Sequence, residues 1–179
     1  MLRSDPDVVM VGEIRDRETA EISMRAALTG LFVLSTLHTN DAPSAITRLT
    51  EMGVEPFVLA SGITAVLAQR LARRLCEHCR QPYAPTADEL ERVGLAPGVD
   101  RLWRPGSCDS CTRGYRGRIG IFQYLTMTEA VSRLAARAAT AQEIEAAAVA
   151  DGMRTLWEDG IDKVVAGLTT VDELRRILI

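Results

Sequence analysis

Aromatic side chains are scarce. Phe, Trp and Tyr together make up 4% of the 179 residues, so a core must be assembled from Ala, Val, Leu and Ile. Lysine is nearly missing: Lys163 is the only one, and the remaining basic residues are Arg. Net charge is -3, which argues against a surface that clings throughout to nucleic acid or acidic lipid. Long apolar runs are lacking too. The uncharged stretch Pro56 to Gln69 is 14 residues, where a membrane-spanning helix needs about 20 apolar residues. The opening Met1-Leu2-Arg3-Ser4-Asp5-Pro6-Asp7 has no apolar segment behind a basic start, as a secretion signal would. The expected setting is the cytosol, where cysteines are thiols rather than disulfides. What remains is ordinary globular composition, 47% hydrophobic and 25% charged, enough for one domain or one domain with a small satellite.

The first third alternates apolar runs with amphipathic segments. Val8-Val9-Met10-Val11 reads as a strand buried on both faces, as in a parallel sheet. Asp16 is positioned to cap a helix over 17–28, with Gly30 near its end. Leu31-Phe32-Val33-Leu34 reads as a second strand, followed by a helix capped by Asp41 or Asn40, carrying Pro43 in its first turn and ending at Gly53. The next segment, from Pro56 to about Ala72, reads as another helix. Strand, helix, strand, helix at this spacing predicts an α/β fold with a parallel sheet. After a Cys-, Pro- and Gly-rich middle, which carries a short helix capped by Thr86, a returning strand is expected over 119–125. The remainder reads as helical. Thr140 with Glu143, and Thr170 with Glu173, have capping-box spacing.

The strongest chemical signal is Cys76-Glu77-His78-Cys79 and, after 28 intervening residues, Cys108-Asp109-Ser110-Cys111. Two-residue spacing lets both sulfurs of a pair reach one ion, and four thiolates close a tetrahedral Zn2+ shell with Zn–S about 2.3 Å. A closed shell leaves no place for a reactive water, so Cys76, Cys79, Cys108 and Cys111 are expected to hold a structural rather than a catalytic metal. Arg70, Arg73, Arg74, Arg80, Arg113, Arg116 and Arg118 surround the pairs. They suit either a nucleic-acid-binding zinc ribbon or a set of internal ion pairs, and the acidic chain favours the second, with no nucleic-acid partner. Glu13 and His38 fall at the ends of the two apolar runs, the edge at which open α/β sheets bind ligands. Taken singly, Glu13 could hold Mg2+ through water, polarise an attacking water, cap a helix or pair with a cation, and His38 could be a structural hydrogen-bonder.

Together these residues resemble the type II/IV secretion ATPases, which comprise the general secretory pathway protein E family and the type IV pilus assembly ATPases. The likeness rests on Leu2 through Asp16, on the His box Leu34-Ser35-Thr36-Leu37-His38-Thr39-Asn40-Asp41, and on Gln69 through Cys76 leading into the tetracysteine lobe. Gly114 through Ile121 and Gly152-Met153-Arg154-Thr155-Leu156 extend it over the whole chain. A shorter loop after the fourth cysteine, only Thr112-Arg113, is a small departure. The resemblance implies a partial RecA-like P-loop NTPase sheet with a tetracysteine zinc-binding lobe and a helical C-terminal region. Its expected divisions are 1–75 for the ATPase core, 76–118 for the zinc subdomain and 119–179 for the returning strand and helices. It also implies ATP and Mg2+ as ligands. Glu13 would be the Walker B acid, His38 would act at the γ-phosphate side, and Arg15 and Arg70 would contribute electrostatically to cofactor binding. The implied assembly is a homo-hexamer, cytoplasmic and peripheral to the inner membrane through platform components of a secretion or pilus machine.

One part of that machinery has no counterpart in the 179 residues. A phosphate cradle needs G-x4-G-K-[S/T], and Lys163 sits in Gly160-Ile161-Asp162-Lys163-Val164. Met1 is thus expected to fall part-way through a larger protein. The chain alone is expected not to turn over ATP, since positioning and charge neutralisation dominate phosphoryl transfer. Its first strand, lacking a neighbour, should expose an apolar edge and lower solubility. Two other classes stay open on sequence: a zinc-stabilised, non-enzymatic interaction module, and a nucleic-acid-binding zinc-ribbon protein.

Overall fold

A computed structural model describes residues 6–95 and 98–178; Leu2 to Asp5 of the opening motif lie outside the described residues. In order, the elements are β1 (Val8–Val11), α1 (Arg17–Leu28), β2 (Phe32–Ser35), α2 (Ala42–Glu51), α3 (Pro56–Gly62), β3 (Ala65–Leu75) and β4 (Gln81–Tyr83). They continue with α4 (Ala87–Val93), β5 (Leu102–Arg104), β6 (Tyr115–Thr126), α5 (Glu129–Ala136), α6 (Ala141–Ala150), α7 (Leu156–Val165) and α8 (Val171–Leu178). The architecture is mixed α/β. The chain divides into two compact units, each discontinuous in sequence. One runs to Ala68 and resumes over Tyr124–Met153, and the other takes Gln69–Gln123 and the chain from Arg154.

In the first unit β1 and β2 pair in parallel, Val8 opposite Phe32 and Met10 opposite Leu34. The helices start where short polar side chains can satisfy orphan N–H groups. Asp16 Oδ1 accepts from Thr19 N at 2.9 Å and Asp41 Oδ1 from Ser44 N at 2.8 Å. Ala20, Met24, Ile46, Leu49, Leu59, Val131 and Ile144 form the core. Thr140 and Glu143 complete the expected capping box on α6.

Several expectations are corrected here. β1 is not buried on both faces: Val8 is 55% and Met10 76% exposed, and their partners Phe32 and Leu34 are similarly open. Core packing reaches Val11, and β1–β2 is a two-stranded sheet among the described residues. The expected helix over 56–72 ends at Gly62. Gly62 is a weak helix former, and Ile63, Thr64 and Val66 are β-branched, so the chain turns extended at Ile63 and enters β3 instead. The returning strand starts at Tyr115, four residues earlier than 119, and pairs with β3.

The second unit has its own core of Ala72, Leu102, Ile121, Leu156, Ile161, Val164 and Leu174. Small residues allow its close approaches. A Cβ on Gly160 would lie 2.3 Å from Leu174 Cδ1, and one on Gly106 only 1.9 Å from the Cys79 carbonyl oxygen. Thr155 and Glu158 form a second capping box, on α7. At α8 the box is half made. Thr170 Oγ1 accepts from Glu173 N at 3.2 Å, but the Glu173 carboxylate turns to Arg73 and Arg176.

Candidate functional site

Two groups of chemically active side chains are present, one in each unit. In the first, the strand ladder continues beyond the ends of β1 and β2. Ile14 N donates to Thr36 O at 2.9 Å and Thr36 Oγ1 to Gly12 O at 2.7 Å. This stitching places the two loops that follow, 12–16 and 36–41, side by side before each turns into its capped helix. Glu13 and His38 are the residues it brings together, with Glu13 Oε1 2.7 Å from His38 Nε2. Glu13 Oε2 accepts from Arg15 Nε at 2.6 Å. The Arg15 guanidinium, donating to and charged against the carboxylate, holds the Glu13 pKa below its ordinary value.

The pair is lopsided. The Glu13 side chain is 22% exposed, His38 88% and Arg15 74%. The buried Glu13 Oε1 meets the imidazole as an ion-pair contact and makes no hydrogen bond there. An ionised carboxylate so placed can accept a proton or a hydrogen bond. A hydrated Mg2+ would reach that oxygen only with the exposed His38 side chain displaced. Arg70, the other expected electrostatic contributor, sits on β3 in the second unit.

In the second unit the four cysteines converge. Sγ–Sγ distances are 3.8 Å for Cys76–Cys108, 3.6 Å for Cys79–Cys111 and 3.5 Å for Cys108–Cys111, and all four sulfurs lie within 4.8 Å of one another. None is near the roughly 2.05 Å of a disulfide. A tetrahedron with metal–sulfur bonds of about 2.3 Å has edges of about 3.8 Å, so the donor set fits a four-thiolate ion. Burial pushes the Cys79 thiol up to about 12, and hydrogen bonds to neighbouring thiols add to this. At Cys111 burial is outweighed by hydrogen bonding at Cys108, and the thiol falls to about 7.

Local geometry explains how so short a connection after the fourth cysteine is accommodated. Thr112 and Tyr115 exchange N–H···O bonds of 3.0 Å across Arg113-Gly114. Both central residues have positive φ, 52° and 81°, as a tight two-residue hairpin turn requires. Cys76 N donates to Gly114 O at 2.8 Å, tying the two pairs together.

Several arginines flanking the cysteines have internal partners. Arg74 pairs with Glu77, Arg73 with Glu173, and Arg80 lies 4.4 Å over the Trp103 ring. Glu173 itself was missed by sequence reasoning except as a cap. Its side chain is fully buried. Burial alone would raise its pKa, but hydrogen bonds from Arg176 and Arg73 carry it down to about 2. The only prior signal was its place three residues after Thr170.

A family model described as "Type II/IV secretion system protein" matches residues 1–176. The chain is 49% identical over 178 residues to the type II secretion system protein E of Dickeya dadantii (strain 3937), covering 99% of this chain and 35% of that protein. It is 47% identical to the type IV pilus assembly ATPase PilB of Thermus thermophilus, covering 97% of this chain and 20% of the relative. Among solved structures, the pilus retraction motor PilT with bound ADP superposes with a TM-score of 0.66 at 24% identity, over 98% of this chain and 40% of PilT. The Legionella pneumophila ATPase DotB gives 0.63 at 22% identity, over 98% of this chain and 39% of DotB. These two likenesses are of fold. No helix among the described residues is long and apolar enough to cross a membrane.

Proposed function

The chain belongs to the type II/IV secretion system protein family, and from that premise we propose that it forms the acid-and-imidazole side of a motor ATPase that drives type II secretion or type IV pilus assembly. The observation that carries this reading is the meeting of Glu13 and His38 at the carboxyl ends of two parallel strands, with one carboxylate oxygen buried against the imidazole. That edge is where open α/β sheets place ligands. In this reading Glu13 would hold Mg2+ through water or act on the attacking water, and Arg15 keeps its carboxylate ionised, which suits the first role better. His38, largely exposed, would serve the terminal phosphate side of ATP. Arg15, bonded to Glu13, adds positive potential beside the carboxylate. Zn2+ would sit among Cys76, Cys79, Cys108 and Cys111 and supply cross-linking rather than reactivity.

Functionally, residues 1–75 would serve the nucleotide, 76–118 the metal lobe, and 119–179 the return strand and C-terminal helices. A homo-hexamer docked on inner-membrane platform components from the cytoplasmic side is the assembly this reading implies. The tetracysteine cluster favours an assembly motor over a retraction motor.

The chain by itself contains no G-x4-G-K-[S/T] and is expected to be silent as an ATPase. Fusing it behind an upstream segment that carries this motif should yield ATP hydrolysis. Glu13→Gln in the fusion should lower kcat by about a hundredfold or more while leaving melting unchanged. A fusion that binds ATP and hydrolyses it equally well with Gln at position 13 overturns the assignment. A fusion that neither binds nor hydrolyses ATP, with the metal lobe intact, would favour the non-enzymatic interaction module.

A further inference from the structure

Three of the sulfur separations lie within a few tenths of an ångström of a metal tetrahedron's edge, and all four sulfurs fall within 4.8 Å of one another. Something must hold the two pairs. A short segment far downstream in sequence touches both. Leu168 O accepts from Leu75 N at 2.8 Å, one residue before Cys76. Gly167 O accepts from Arg80 Nη1 at 2.5 Å, one residue after Cys79. Thr169 Oγ1 donates to Arg73 O at 2.9 Å. Thr170 Oγ1 lies 3.0 Å from Tyr115 Oη, four residues after Cys111. Glu173 closes the set. Its carboxylate accepts from Arg73 N and Nε, each at 2.9 Å, and from Arg73 Nη2 at 2.7 Å. It also accepts from Arg176 Nε at 2.8 Å and Nη2 at 2.6 Å. The Arg73 guanidinium, thus held, lies 4.2 Å over the Tyr115 ring. One carboxylate therefore fixes the strand leading to the first pair and, through Arg73, the tyrosine following the second.

We infer that residues 167–173 are a strap that positions both cysteine pairs for their metal, with Glu173 as its chief positioning residue. The inference rests on the zinc reading above. Groups bonded directly to metal ligands typically contribute tenfold to a hundredfold in metal affinity; the strap acts one step further out, through Arg73, Leu75, Arg80 and Tyr115, so the lower end of that range is expected. Gly167 belongs to the same device. Its φ is +70°, and a Cβ there would lie 2.5 Å from Trp103, so a larger residue would displace the carbonyl that Arg80 uses. The strap also explains why the α8 capping box is left half made: the carboxylate has been diverted to Arg73.

The test loads the full chain with Co2+, whose visible bands report four-thiolate tetrahedral coordination, and follows release to excess chelator below the melting temperature. Wild-type chain should bind about one ion with the four-sulfur spectrum. Glu173→Gln should release it about tenfold faster, and Thr169→Val, which keeps shape and loses one hydroxyl, about threefold faster. Leu156→Ala loosens the same core at the end of α7 remote in sequence from the strap, and should release at the wild-type rate. Thr169→Val decides the matter if Glu173→Gln does not fold. Wild-type release rates in both strap variants overturn the inference, as does equal acceleration by Leu156→Ala. A wild-type chain that takes up no cobalt in four-sulfur form defeats the zinc reading and the strap with it. Normal loading with unaltered strap variants defeats the strap alone.

Discussion

The two units of this molecule hold together by different means. The first is held by an aliphatic core that joins its capped helices to the returning segment through Val131 and Ile144, a fastening that is mainly apolar. The second is tied by groups remote in sequence. Glu173 bonds to Arg73, Thr169 to Arg73, Arg80 to Gly167, Trp157 to Val93, and the cysteines converge across 32 residues. Apolar burial is non-directional and tolerates adjustment. Buried polar ties are directional, and removing one partner leaves the other unsatisfied. The first unit should therefore weaken gradually under mutation, and the second should fail at particular atoms.

The largest expected effect tests this contrast outright. Cys108→Ser, or strong chelation, should abolish metal binding and the cooperative unfolding of the second unit, while backbone amides of the first unit keep their protection in hydrogen exchange. Equal loss of protection in both units would erase the contrast. Next in size, Leu59→Ala removes a fully buried side chain of the first core and should cost about 2–5 kcal/mol by chemical denaturation, with metal content unchanged.

Acid titration separates the units by charge. Glu173 has its folded pKa lowered from 4.5 to about 2. Its stabilising contribution is complete above about pH 4.5 and is lost as pH falls toward 2, on the order of 3 kcal/mol. Between those values Glu173→Gln should flatten the pH dependence of the second unit's melting. An unaltered slope would mean that the carboxylate is not the group that titrates. The smallest effect belongs to a cap. Thr155→Ala opens the capping box of α7 and should lower stability by about 1 kcal/mol.

The contrast also explains what could be read before any coordinates. In the first unit Asp16 and Asp41 announce helix starts through spacing and side-chain chemistry, and the structure uses both. Glu13 and His38 were legible as strand-end residues because short apolar runs point to them. Their 2.7 Å approach was not, since it depends on the Ile14–Thr36 bond between loops. The helix expected beyond Gly62 failed because Ala, Leu, Gln and Arg between 65 and 75 suit helices equally well, and pairing with β6 decides the outcome. In the second unit the C-x2-C pairs carry their meaning locally, in the reach of two sulfurs. Glu173 does not: what makes it matter is an arginine a hundred residues earlier.

The uncovered face of β1–β2 has a practical side. Val8, Met10, Phe32 and Leu34 form a greasy patch on the native molecule, and environment-sensitive dyes bind such patches without any unfolding. Dye-based thermal assays of this chain should start from a bright baseline and blur the transition. Calorimetry or circular dichroism is the better gauge, and a dye signal quenched on adding a binding partner would report which molecules come to rest on that face.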